Sequence, residues 1–511
     1  MKLVKSLLLG SAAGLIAVGG AQAADLPVKA KAVEYVKICS LYGAGFYYIP
    51  GTDTCIKFGG YLRVDLGLNT SSDFNINSSG TNGAHNRLTN AYVARSREDF
   101  NIDTRTATEY GVVRTFADLT FSWTTGNFTG AGTGLTGGST AYSTAGAPGA
   151  QADGNIAGGS LGVYYAFIQF AGFTMGKAVS QFDAPWTNYP GNNFDGLFGG
   201  SGSVTGVNQF TYTADFGQGV TAAFSAQDQA QYYTTNLWNI SGSTAAGVLG
   251  GSYGINNFGG VVAPDLVAMV RVDQAWGLFQ ASVAAHDNHV GYYGVSEVTG
   301  HAGDKWGWAA QLALSIKNIP TGAGDTINMQ AVYTNGASRY NIQSLAPTTF
   351  SMYGNTGVAG AYQSVGFAGV SDATYVAGGQ LDLTTTYGFR GGFTHNWDPF
   401  WNTAIYGSWG AIRYNGNAKA NICGSAGVTG LFVAGSTCNP DFDVTSLGII
   451  TRWTPVKNLT FSADLNWTHL DQKHSGFVAS PGVAGTAKPA GIYEIKDQDS
   501  VNLLLRAQRN W

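Results

Sequence analysis

Polar and apolar residues alternate with period two along most of the chain. In Phe58 to Leu68 the even positions are Phe58, Gly60, Leu62, Val64, Leu66 and Leu68, and Tyr61, Arg63 and Asp65 fall between them. One face is apolar and the other polar, which is the signature of a half-buried β-strand; a helix would scatter both sets around its axis. The pattern recurs in Phe210, Tyr212, Ala214 and Phe216, in Trp306 to Ile316, and in Phe461, Ala463, Leu465 and Trp467. Sixteen such segments are predicted: 56–69, 98–109, 112–124, 160–170, 173–182, 208–216, 220–228, 264–275, 278–287, 304–317, 326–335, 379–394, 400–413, 442–453, 459–470 and 499–511. The predicted fold class is all-β, a closed transmembrane antiparallel β-barrel, because bacterial barrels of this kind have an even number of strands.

The connections sort by length. Those after odd-numbered segments are long (70–97, 125–159, 183–207, 229–263, 288–303, 336–378, 414–441 and 471–498), and those after even-numbered ones are short, with Ala171-Gly172 and Gly217-Gln218-Gly219 the clearest turns. Outer-membrane barrels place long loops outside and short turns in the periplasm. In the last segment Val501, Leu503, Leu505 and Ala507 share a face with Trp511, a terminal aromatic suited to the interfacial girdle and a strand able to close on the first.

Composition agrees. Charged residues make up 11 % of the 511, against roughly 25 % in soluble globular chains. Glycine, at 73, is about twice its usual share of roughly 7 %. Residues 1–23 read as a secretory signal, with Lys2 and Lys5 ahead of the apolar run Leu7–Val18 and an Ala21-Gln22-Ala23 cleavage box. Removing those two lysines from the 27 basic residues leaves 25 against 31 acidic, a net charge of −6, which gives no support to nucleic-acid binding. The expected division is signal peptide 1–23, an N-terminal disulfide segment 24–55 and a barrel 56–511.

Four cysteines form two local pairs, Cys39/Cys55 and Cys423/Cys438. In an exported chain an even count implies disulfides. Zinc is the rival, but neither pair has the C-x-x-C spacing or nearby histidines that it would want. No metal site or cofactor is expected: His286/His289 point to opposite faces of a strand, and the glycine-rich stretches lack the ending of a phosphate loop. No catalytic constellation is visible, so an enzyme is not expected.

Several stretches resemble the general porins of alphaproteobacteria, porin family 2. They are the block from Val36-Lys37-Ile38-Cys39 to Thr52-Asp53-Thr54-Cys55, Gly59-Gly60-Tyr61-Leu62-Arg63, Thr108-Glu109-Tyr110-Gly111, Phe167 to Thr174, Asn208-Gln209 and Leu505 to Trp511. Family members often carry a Phe near the terminus where this chain ends in Trp511, and either aromatic serves the girdle. The resemblance implies a sixteen-stranded barrel in the cell outer membrane, in contact with its lipid, assembled as a homotrimer and passing small hydrophilic solutes and ions. It also implies that the third loop, about Asp183 to Val207, folds into the lumen as a constriction. Asp183 and Asp195 are that loop's only charges. Six of the thirteen arginines lie between Arg63 and Arg114, and alternation turns Arg63, Arg105 and Arg114 inward, where they must line water, since facing lipid near the midplane would cost roughly 2–4 kcal/mol. The candidate constriction set is therefore Arg63, Arg105, Arg114, Asp183, Asp195 and Lys177, with Asp65, Asp103, Glu109, Asp118 and Arg390 as further inward residues. Rival readings are a barrel enzyme, a barrel that only anchors adhesive loops, and a substrate-specific channel marked by an aromatic track along the pore.

Overall fold

The computed structural model describes residues 37–71, 73–124, 160–229 and 232–511. The expected signal peptide, residues 24–36 and the whole second long loop, 125–159, lie outside the described residues. The chain divides into two compact units, 1–57 and 58–511.

In the first unit a short hairpin pairs Tyr47 with Ile56 and Tyr48 with Cys55. The Cys39–Cys55 disulfide closes it, and Phe46 packs beside the two buried sulfurs. The second disulfide, Cys423–Cys438, belongs to the other unit.

Sixteen strands form an antiparallel barrel: β1 (Thr54–Leu68), β2 (Tyr92–Thr108), β3 (Gly111–Thr124), β4 (Ser160–Phe170), β5 (Phe173–Ala178), β6 (Val207–Asp215), β7 (Val220–Gln227), β8 (Asp265–Gln274), β9 (Gly277–Asn288), β10 (Lys305–Lys317), β11 (Thr326–Asn335), β12 (Thr385–Asn396), β13 (Trp401–Arg413), β14 (Phe442–Val456), β15 (Leu459–Gln472) and β16 (Gln498–Asn510). Each pairs with its neighbour in sequence, and β16 returns to β1, with Leu62 opposite Arg509 and Leu68 opposite Leu503. Closure leaves no free edge. The sixteen segments read from alternation all appear as strands. The largest differences are at three ends: β2 begins at Tyr92 rather than 98, β5 stops at Ala178 rather than 182, and β12 begins at Thr385 rather than 379.

The outer face carries exposed apolar side chains such as Leu62, Val64, Leu312, Ile405, Leu447 and Val501. Aromatics gather in two bands on it. Near the short turns Phe58, Phe100 and Trp511 follow one another at 5.5 and 5.9 Å, and Trp401, Trp453 and Phe461 at 5.8 and 5.6 Å. At the opposite rim the sequence is Trp308, Tyr333, Tyr387 and Trp409. Amphipathic rings at both interfaces with an apolar band between them suit a bilayer-embedded barrel.

The long loops build a structured cap at the end away from the turns. Strands Asn236–Asn239 and Ile255–Asn256 of the fourth loop join Ser371–Tyr375 and Asp382–Leu383 of the sixth. A second small sheet joins Thr349–Gly354 and Ser364–Gly369 of the sixth loop to Gly476–Ser480 and Gly491–Ile495 of the eighth. Trp238, Tyr253, Phe350, Phe367, Phe442 and Tyr493 form part of the apolar core beneath them.

His474 of the eighth loop sits in this core, 5 % exposed, with its ring 4.9 Å from Phe367. Its Nδ1 accepts the Asn439 N–H at 3.0 Å, so the proton is on Nε2, which faces the Tyr253 hydroxyl at 2.9 Å. Burial pushes its pKa down from the ordinary value to about 3. A base whose folded pKa is depressed lends stability that is full above the unfolded value near 6.5 and declines as pH falls from there toward 3. Protease clipping of the seventh and eighth loops should therefore be faster at pH 4.5 than at pH 7.5, and His474→Gln should remove most of that pH difference. Equal pH dependence in the two proteins would rule out His474 as its source.

Candidate functional site: the eyelet between the third loop and the arginine wall

The third loop, 179–206, runs back into the barrel and is fastened along the inner wall of β9 to β15. Gln311 Nε2 donates to Phe182 O (2.7 Å) and Gln280 Nε2 to Asp183 O (2.8 Å). Trp186 Nε1 donates to Gln330 Oε1 (2.8 Å), and Asn328 Nδ2 to Pro190 O (3.0 Å). Arg452 Nη2 donates to Gly191 O (2.7 Å), and the Asn193 N–H donates to Asp464 Oδ2 (2.6 Å). Arg390 on β12 is 1 % exposed and donates to three carbonyls of the loop, Ser201 O at 2.6 Å, Leu197 O at 3.4 Å and Thr187 O. Gly199 must be glycine: its φ is +88°, and a Cβ there would meet the Phe389 carbonyl carbon at 2.3 Å. The loop is thus a fixed lining, because its buried backbone groups find partners on the wall.

The remaining opening lies between the loop and β1 to β4. A cavity of about 360 Å³ is lined by Arg63, Arg95, Arg97, Asp99, Asp118 and Tyr164 of the wall and by Asp73, Tyr189, Asp195 and Thr205 of the loops, among others. Charges on the wall fall into two groups. Buried Asp65 takes Arg95 at 2.7 Å and Arg506 at 2.6 Å, which leaves one net positive charge in that trio. Arg63 donates instead to Gln508 Oε1 (2.8 Å) and Arg97 to Ser122 Oγ (2.8 Å). Among the described residues neither is in an ion pair, so both present net positive charge to the cavity. Each lies over a tyrosine ring, Arg63 over Tyr61 at 4.4 Å and Arg97 over Tyr164 at 5.3 Å. Across from them Asp195 accepts the Tyr189 hydroxyl and Asp73 stands exposed. The wall carries the arginines together with Asp99 and Asp118, whereas the loops contribute only the carboxylates Asp73 and Asp195, and this asymmetry sets up a field across the opening.

Of the expected constriction residues, Arg63 and Asp195 meet here. Arg105 and Arg114 face inward but lie elsewhere. They pair directly across β2 and β3 and both hold Asp103, each at 3.0 Å. Six residues separate Arg105 from Asp99, about 20 Å along the strand toward the short turns. Asp183 is not a free pore charge: it is 5 % exposed and accepts from the Ser203 N–H (2.5 Å) and hydroxyl (2.7 Å), which ties the two ends of the loop together. Lys177 corrects the inward reading. It shares a strand face with exposed Phe173 and Met175, pairs with Ala166 and Asn208, and its Nζ donates to Val163 O.

Arg95 and Arg97 belong to the arginine-rich stretch expected to form the wall, but the alternation assigns them no facing. They belong to the part of β2 that it left in a loop, where Tyr92, Ala94 and Ser96 make the outward face too polar to mark a strand. The parity was nonetheless present, since Arg95, Arg97, Asp99, Asp103 and Arg105 are all odd.

The model of the porin subfamily matches residues 25–504. The chain belongs to the porin subfamily. Porin Omp2b of Brucella suis biovar 1 is 33 % identical to it over 289 residues, 56 % of this chain and 66 % of that protein. Porin Omp2b of Brucella neotomae is 34 % identical over the same span. The matched region thus covers slightly under two thirds of these relatives' own length. Among solved structures the outer membrane channel DcaP of Acinetobacter baumannii superposes with a TM-score of 0.55 at 14 % identity, covering 91 % of this chain and 99 % of that one. That likeness concerns the fold. Family and barrel together assign this porin to the outer membrane and to a family of channels rather than of enzymes.

Proposed function

We propose that this porin is a passive diffusion channel for small hydrophilic solutes and ions, with Arg63, Arg97 and Asp195 setting the field at its narrowest part. The observation that carries this reading is the third loop's attachment to one side of the lumen, which leaves a polar, charge-lined opening on the other. Arg105, Arg114 and Asp103 would then line the vestibule on the side of the short turns. Contact with outer-membrane lipid follows from the apolar outer face, homotrimeric assembly from the family resemblance, and export from the leader at 1–23. We read 24–55 as a disulfide-closed N-terminal segment ahead of the barrel.

Liposome swelling tests the reading. Vesicles holding the purified, heat-modifiable protein should swell in isotonic solutions of small neutral solutes, and the rate should fall steeply as solute size rises. Folded protein that supports no swelling with any solute would contradict a diffusion channel.

A further inference from the structure

A second cavity, of about 420 Å³, lies directly outside the eyelet between the first and sixth loops, and the two share Asp73 and Leu345. Its chemistry is different. Its lining comes from Ser71 to Asn82 on one side and Ser344 to Thr349 on the other, and most of these residues carry a hydroxyl or an amide. Among the described residues no lysine or arginine lines it, and Asp73 is the only charge in its lining.

The walls are held in place. Asn75 Nδ2 donates to Leu345 O, the Ser351 N–H donates to Ser78 O (2.6 Å), and Ser344 Oγ donates to Gly202 O of the third loop (3.0 Å). Asn77 Nδ2 is used inside the protein, on Asn69 Oδ1 (3.1 Å). Among the described residues nothing donates to the side-chain oxygens of Asn77 and Asn82, although these residues are only 0 % and 8 % exposed. Buried acceptors without donors are costly, and such groups in a native fold ask for a partner from outside the chain.

The partner's class follows by elimination. An anion finds no cation in this cavity. A cation finds one carboxylate. An apolar solute would leave the amides unsatisfied. A molecule rich in O–H groups supplies donors to the asparagine oxygens and both donors and acceptors to the serines and threonines. One rigid ring bearing several hydroxyls loses less freedom in binding than the same number of separate waters. The volume falls within the range of small-molecule pockets. One step further in, Tyr61, Tyr164 and Tyr189 offer rings against which the apolar face of a sugar can rest.

We infer that the vestibule between the first and sixth loops is a binding site for neutral polyhydroxylated solutes, sugars of one to three rings, which it holds ahead of the eyelet. This rests on the diffusion-channel reading and names a solute class within it. The experiment is current recording from the full-length protein in a planar bilayer, with maltose and then maltotriose added to one chamber. The inference predicts concentration-dependent, saturable partial block. The double variant Ser79→Val/Asn82→Leu replaces two lining side chains for which no hydrogen bond is seen, and should weaken the block about tenfold with open-channel conductance kept. Asn82→Asp is the second variant: it keeps the shape and an acceptor, and should retain more of the block than Asn82→Leu. Channels that conduct normally but show no sugar block, or block unchanged by the double variant, would overturn the inference and leave the channel standing. Absence of any conductance would overturn both.

Discussion

Arg63→Gln/Arg97→Gln porin should shift its reversal potential in a salt gradient toward cations, and Asp195→Asn should shift it the other way. Among the described residues the two arginines are wall cations in no ion pair, whereas Arg95 and Arg506 share Asp65. A unit charge about 7 Å from a passing ion changes its energy by about 0.6 kcal/mol at the dielectric of bulk water and about 2.4 kcal/mol at an effective dielectric of 20. Losing two such charges should change the anion-to-cation permeability ratio by about tenfold. The shift should be largest at 10 mM salt and nearly vanish at 1 M, where the screening length is about 3 Å. Arg105→Gln should do much less, because Arg105 lies about 20 Å along its strand from the eyelet, held by Asp103. An equal shift from Arg105→Gln and from the double variant would place the selective ring nearer the short turns.

Arg390→Met should leave the barrel folded but free the third loop. The ladder of β12 does not need the side chain, but Thr187, Leu197 and Ser201 would each lose the guanidinium on which their carbonyls rest. Unsatisfied buried carbonyls cost about 1–3 kcal/mol each, so the loop's attachment should weaken by at least about 3 kcal/mol. The heat-modifiable band on a gel should persist, cleavage between residues 184 and 202 should become rapid, and single channels should turn noisy. Arg390→Lys should resemble Arg390→Met, since one ammonium cannot reproduce the planar fork. A quiet channel with a protease-resistant loop in both variants would show that the other fastenings suffice.

The barrel was legible in the sequence because a lipid-facing strand must alternate: Phe58 to Leu68 and Phe461 to Trp467 state their register outright. What was not legible has physical causes. At Tyr92 to Arg97 the strand rises out of the apolar band, so its outward residues no longer need to be apolar and the alternation fades. At Lys177 the inward assignment fails, because parity with exposed Phe173 and Met175 puts it on the outer face of its strand. At Asp183 the sequence showed a charge in the constriction loop, but only the fold shows that Ser203 uses it as a tie. The arginine wall was half visible: the density of arginines between 63 and 114 marked the right side of the barrel, but depth depends on how strands tilt and where the third loop comes to rest. The cap's two small sheets had no sequence signal, because their partners come from different loops.

The most direct test of the account places one thiol in the eyelet. All four native cysteines are in disulfides, so Thr205→Cys supplies a unique reactive group on the third loop's side of the opening. Addition of a cationic methanethiosulfonate to open single channels in a planar bilayer should cut the conductance in discrete steps that persist after washout, and a reducing agent should restore it. Complete labelling by mass spectrometry with conductance unchanged would mean that ions do not pass between the third loop and the arginine wall.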